Sequence, residues 1–132
     1  MPEIGPMIDR NFSQVVLASA ARAATVVSGR MTNPWHQHVL LTLDLSVRTA
    51  AETLQLYLQL LDPISGAYWT VWTAAAATGV VALYTYLLGP AAVAAVYTED
   101  VHIVVPQYYR CGVTQVGVGP ATYSVAASYV FH

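Results

Sequence analysis

Four histidines, His36, His38, His102 and His132, and a single cysteine, Cys111, are the side chains in this sequence best suited to ligate a metal or act as a nucleophile. His36 and His38 are two apart, so in an extended segment they share one face. A metal site needs a third ligand, and His102 and Glu99 are the candidates. Two histidines with no third ligand at a fixed spacing are a weak metal signal, so both are read as polar surface residues beside Trp35. Cys111 with a distant histidine could form a nucleophile pair. It lies, however, between Arg110 and Gly112 in an alternating segment, where a free cysteine behaves as a small buried apolar residue. Tyr68, Trp69 and Trp72 could stack against a sugar. On a regular strand Tyr68 and Trp72 share one face, with Trp69 on the other, facing the core.

The remaining motifs point away from catalysis. There is no Gly-x-Ser-x-Gly elbow, phosphate loop or zinc-binding helix, and "GVTQVGVGP" reads as a turn between strands. Asp44, Glu52, Asp62, Glu99 and Asp100 fall at strand ends or in loops, where charge is solvated. The sequence therefore predicts no enzyme, no cofactor and no metal. The five basic residues are all arginine and are scattered along the chain, whereas a nucleic-acid binder needs a concentrated basic footprint. "MPEIGPMIDRNFS" has acids near its start and no apolar core, unlike a secretion signal, so the "NFS" sequon at Asn11 is read as chance.

Composition carries a stronger message. The 132 residues are 56% hydrophobic and only 9% charged, against about 25% charged in an average soluble domain. So few charges coat a free monomer poorly, and much of the surface is expected to be covered by other copies, a larger assembly or lipid. The charge-free run from Pro63 to Thr98 is long enough for a membrane span. It is broken by Gly79, Gly89 and Pro90, lacks Lys/Arg anchors and has a period of two rather than 3.6.

That period sets the fold class. In "LQLYLQL" Leu54, Leu56, Leu58 and Leu60 fall on one strand face, with Gln55, Tyr57 and Gln59 on the other. "DPISG" supplies a turn and "AYWTVWTA" a second strand, so the stretch is a β-hairpin. "QVVLASA" (14–20), "AATVVS" (23–28), "HVLLTLDLSV" and "VVALYTYLL" (80–88) also read as strands. Val39, Leu41, Leu43 and Leu45 are expected to face the core beside the leucines of 54–60. "QYYRCGVTQ" and "ATYSVAASYVF" flank "VGVGP", which reads as another hairpin. In the last strand Tyr123, Val125, Ala127, Tyr129 and Phe131 share a face. The helical candidate is Pro90 to Asp100. The whole reads as an all-β antiparallel sandwich, jelly-roll or Ig-like, of about seven or eight strands. An extended arm, 1–13, precedes one sandwich domain, 14–132.

The order of "VVLASAARAATVVSG", "LLTLDLSV", "QLLDPISGAYW", "VVPQYYRCGVTQ" and "GPATYSVAASY" resembles the small β-sandwich proteins encoded among the head genes of tailed bacteriophages. The resemblance runs from about Val15 to Phe131. It departs from the family pattern at Gln107, where a basic residue is usual. It implies a capsid decoration (cement) protein with two partners, the major capsid protein and its own copies as a homotrimer, assembled in the host cytoplasm onto the virion surface without nucleic acid or membrane. The expected assembly contacts are Ile4, Met7, Ile8 and Phe12 in the arm, and Tyr84 and Tyr86 as apolar surface beyond the core. The alternatives are a neck, tail or fibre-base component, a carbohydrate-binding module, and a small membrane protein.

Overall fold

The structure, a computed structural model, describes residues 12–33, 38–48, 53–77, 82–89, 99–101, 103, 105–117 and 120–130. These form ten strands: β1 (Phe12–Arg22), β2 (Val26–Val27), β3 (Met31–Thr32), β4 (His38–Arg48), β5 (Thr53–Leu61), β6 (Tyr68–Thr73), β7 (Ala82–Leu88), β8 (Glu99–Val101), β9 (Tyr108–Val116) and β10 (Ala121–Val130). No helix occurs among the described residues. The strand count exceeds the expected seven or eight because β3 and β8 are only two and three residues long, too short to leave a periodic trace; the strand expected over 23–28 is present but reduced to β2. β1 begins at Phe12, two residues before the expected start of the domain.

The strands make two sheets. The first runs β1-β10-β4-β7-β8; the second runs β2-β9-β5-β6, with β3 also on β9. All pairings are antiparallel except β7 with β8. The fold is the all-β sandwich that the period-two pattern predicts. Alternation puts Val39, Leu41, Leu43 and Leu45 of β4 and Tyr123, Val125, Ala127 and Tyr129 of β10 inside. Leu54, Leu56 and Leu58 of β5 and Tyr109, Cys111 and Val113 of β9 supply the second sheet's share of the core. Leu60 is half-buried and packs against it. Phe131 and residues 90–98 of the helical candidate lie outside the described residues; Glu99 and Asp100, its last two, belong to β8.

The β5–β6 hairpin forms as predicted. Its turn closes with Gly66 N–H donating to the Asp62 carbonyl at 2.8 Å, while the Asp62 carboxylate accepts from Ile64 N–H and from the Ser65 hydroxyl. Gly66 has φ 77°, which side-chain-bearing residues seldom adopt.

Two expectations fail on neighbourhood rather than on facing. β4 does not lie beside β5: it sits between β10 and β7 in the opposite sheet, so the two leucine rows meet across the core. Nor do β9 and β10 form a hairpin. They belong to different sheets, and the chain leaves β9 through Gly117 at φ 122° to reach the other layer. Alternation fixes which way a side chain points; it does not fix which strand hydrogen-bonds beside it.

Leu58 is fully buried in the centre of this core. Leu58→Ala is expected to lower unfolding stability by about 2–5 kcal/mol. Urea unfolding followed by tryptophan fluorescence checks this, with the midpoint falling and the slope unchanged.

Candidate functional site

Among the described residues, those singled out for chemistry do not converge. His36, His102 and His132 lie outside the described residues. His38 is buried, not on the surface. It opens β4 opposite the end of β7, and a Cβ built on Gly89 would meet its ring at 1.7 Å, so only glycine lets the imidazole lie there. No group of three or more His, Cys, Asp or Glu side chains gathers among the described residues. Glu99 is tied elsewhere, its carboxylate accepting the Ala75 N–H at 2.7 Å. No helix among the described residues is long and apolar enough to cross a membrane.

Cys111 is the buried apolar residue that its setting predicts. Its N–H donates to the Ser28 hydroxyl at 3.1 Å, and its carbonyl accepts the Ser28 N–H at 2.7 Å. Burial pushes its thiol from 9.0 up to about 12, so almost no thiolate forms near neutrality.

The aromatic platform is rearranged by a β-bulge. The β5–β6 register shifts between Leu58 and Gln59, so Trp72 pairs with Leu58 and Trp69 with Leu60. Both tryptophans therefore fall on the leucine side, and Tyr68 is left alone on the outer side. Trp72 packs against the core and meets Tyr86 edge to face, centroids 5.5 Å apart. Trp69, expected in the core, stays half-exposed because β6 is an edge strand.

The assembly residues divide likewise. Ile4, Met7 and Ile8 lie outside the described residues; Phe12 opens β1. Tyr86 is 1% exposed, a core residue and not surface. Tyr84 is half-buried against the same core. β7 turns both tyrosines inward and leaves Leu83 outward, 60% exposed.

The two broad outer faces of the sandwich differ. On the outer face of the first sheet, Ser13, Ser128, Leu40 and Leu87 form one row. Val15, Ala126, Thr42 and Thr85 form the next, and Ser124, Asp44 and Leu83 a third. Over these four strands the rows hold one charge, Asp44; the first row continues to Asp100 on the edge strand β8. Scarce charge together with exposed apolar side chains is the character of the centre of a protein interface.

The outer face of the second sheet is polar and aromatic. Arg110, Gln59 and Thr70 form one row, Gly112, Tyr57 and Thr73 the next, and Thr114 and Gln55 a third. Tyr57 lies over Gly112, where an added Cβ would meet its ring at 2.2 Å. Arg110 stacks on Tyr68, its guanidinium 3.9 Å from the ring centroid, and donates through Nε to Gln59 Oε1 at 2.7 Å. Arg30 stacks on Tyr108 at 4.6 Å. Beside these stacks is an open groove of about 320 Å³ lined by Leu61, Pro63, Pro106, Gln107 and Tyr108. Nothing in the sequence pointed to it, because its walls come from two stretches of chain more than forty residues apart.

No family model matches the chain, and no curated protein matches it. Among solved structures, the chain is similar to one in the structure of infectious bursal disease virus, Gx strain. The identity is 14% and the TM-score 0.45, over 90% of this chain; the chain spans about a third (32%) of the length of that one.

The buried acids make stability pH-dependent. Besides Cys111, burial raises Tyr86 and Tyr129 from 10.0 to about 12 and raises Tyr109 further. The folded state thus holds protons that the unfolded chain releases first. Stability is complete below about pH 9 and falls as pH rises towards 12, because the unfolded state there binds fewer protons. Urea midpoints should be level between about pH 7 and 9 and decline steadily above that; midpoints level to pH 11 would contradict the burial of these groups.

Proposed function

We propose that the chain is a structural virion protein: a capsid decoration protein that binds the major capsid protein on the outside of a tailed-phage head and stabilises the shell. The observation that carries this reading is the outer face of the first sheet. Three rows across four strands hold one charge, and Leu83 and Val15 stand exposed on it. A sheet face of this kind is costly to leave in water and suited to burial against a neighbour. The resemblance of "QLLDPISGAYW" and "GPATYSVAASY" to phage head proteins points the same way, and the low charge content of the whole chain accords with a surface covered in an assembly.

Self-association as a homotrimer belongs to the same reading, since shell sites of threefold symmetry favour threefold partners. With Tyr86 in the core, the apolar surface for it passes to Leu83, Leu87, Leu40 and Ala126. The arm carries Ile4, Met7, Ile8 and Phe12 as further contacts to a neighbouring subunit or the shell.

Three outcomes are expected. Quantitation in purified particles gives copy numbers in proportion to the shell subunits; a few copies would place the chain in a neck, tail or fibre base, and none would end the virion reading. Leu83→Glu leaves the circular-dichroism spectrum unchanged but weakens the oligomer in light scattering and lowers particle occupancy. Deleting residues 2–11, which spares β1, lowers occupancy or oligomer stability; unchanged values for both would remove the arm from the interface.

A further inference from the structure

We infer that the groove on the second sheet is a recognition site for an extended, acidic, proline-bearing segment of a partner protein. Three observations converge there. The first is shape: Leu61, Pro63, Pro106 and Tyr108 give the groove apolar, rigid walls, with Gln107 at its side. Grooves walled by aromatic and apolar side chains suit segments already extended as polyproline, which lose little entropy on docking.

The second is charge. Arg30 and Arg110 flank the groove, each laid on a tyrosine, and neither pairs with a carboxylate among the described residues. The nearest acid in sequence to the groove wall, Asp62, is turned into its own loop by Ile64 N–H and the Ser65 hydroxyl. Its carboxyl lies below its ordinary value for that reason, the Ser65 bond first. Stacking holds each guanidinium plane in place and leaves its edge for a carboxylate; that pre-orientation is the advantage of Arg over Lys at such a site. Arg110 spends only Nε, on Gln59.

The third is register. Met31 pairs with Tyr109, and Gln59 pairs with Arg110. Ser28 is bonded to Cys111 on the same edge of β9, so Gly29 and Arg30 lie between these two contacts, beside Arg110 and one strand spacing (about 4.8 Å) from it. Carboxylates one or two residues apart on an extended segment can meet both. The same stacks weigh against a sugar: Tyr68 and Tyr108 each have one ring face occupied by a guanidinium, which leaves at most the other for a pyranose.

This site is independent of the charge-poor face on the first sheet. Under the particle reading the segment belongs to a shell protein, but the test uses the isolated full chain, so its failure and that of the particle reading are separable. The probe is a capped peptide alternating Glu and Pro, titrated into ¹⁵N-labelled protein and followed by amide chemical shifts, with the Gln-for-Glu peptide as control. Saturable shifts are expected around 59–63, 68 and 106–110, weakening as salt rises. Arg110→Gln and Arg30→Gln should each weaken binding about fivefold, the order expected for one exposed charge pair, with the rest of the spectrum intact. Equal binding of both peptides, shifts elsewhere, or no shift at millimolar peptide would overturn the inference. Saturable shifts at 68 and 108 with an oligosaccharide and none with the peptide would do the same, assigning the groove to sugar.

Discussion

Two sheets meeting across an apolar core gain a fixed relative position where hydroxyls enclosed by that core pair with each other across it. Four tyrosines, Tyr86, Tyr109, Tyr123 and Tyr129, are fully buried here. The decisive contact is a hydrogen-bond chain across the sandwich: the Tyr109 hydroxyl donates to that of Tyr129, which donates to Gln14 Oε1 at 2.9 Å. Tyr109 is on β9 of the second sheet, Tyr129 on β10 and Gln14 on β1 of the first. A buried hydroxyl without a partner costs about 1–3 kcal/mol, so the two sheets are locked in the one relative position that satisfies all three groups. The leucines and valines around the chain would tolerate small slips; the hydroxyls do not.

Locking the interior decides what faces outward. With odd-numbered residues of β4, β9 and β10 and even-numbered residues of β5 turned inward, two exteriors result. One is poor in charge and carries exposed apolar side chains such as Leu83 and Val15; the other carries arginine on tyrosine. Bulges adjust the pattern locally. Register shifts on either side of Leu17 bring both Val16 and Leu17 inside, and the shift in β5–β6 moves Trp72 to the leucine side. Arg22 then closes the first sheet's edge, stacking on Tyr123 at 4.7 Å and donating to the Tyr123 carbonyl at 2.8 Å. The two outer faces are where exposed apolar and charged groups gather among the described residues.

Much of this was legible in the sequence, for a physical reason. Strand alternation is a local property, so the inward leucines of β4 and β5, the Asp62–Gly66 turn and the buried Cys111 could all be read from spacing alone. What was not legible is non-local or depends on one extra residue. The bulge in β5–β6 reversed the reading of Trp72, which turns to the core instead of sharing the outer side with Tyr68. The facing of β7 was misjudged because leucine and tyrosine alternate there and both are apolar, so pattern alone does not choose between Leu83 and Tyr86. The partition of β9 and β10 into different sheets left no mark beyond the glycines between them. His38 looked like surface because the space that buries it is created by Gly89, about fifty residues away in sequence. The groove was invisible for the same reason: Leu61 and Pro63 meet Pro106, Gln107 and Tyr108 only once β5 pairs with β9.

The central claim is that the inter-sheet hydroxyl chain fixes the sandwich, and a double-mutant cycle tests it most directly. Tyr109→Phe, Tyr129→Phe and the double variant are compared by urea unfolding. The account predicts that the two changes are not additive, with a coupling of about 0.5–1.5 kcal/mol, the net worth of a hydrogen bond. Additivity within about 0.3 kcal/mol, the behaviour of independent sites, would show that the hydroxyls do not act on each other and would contradict the account.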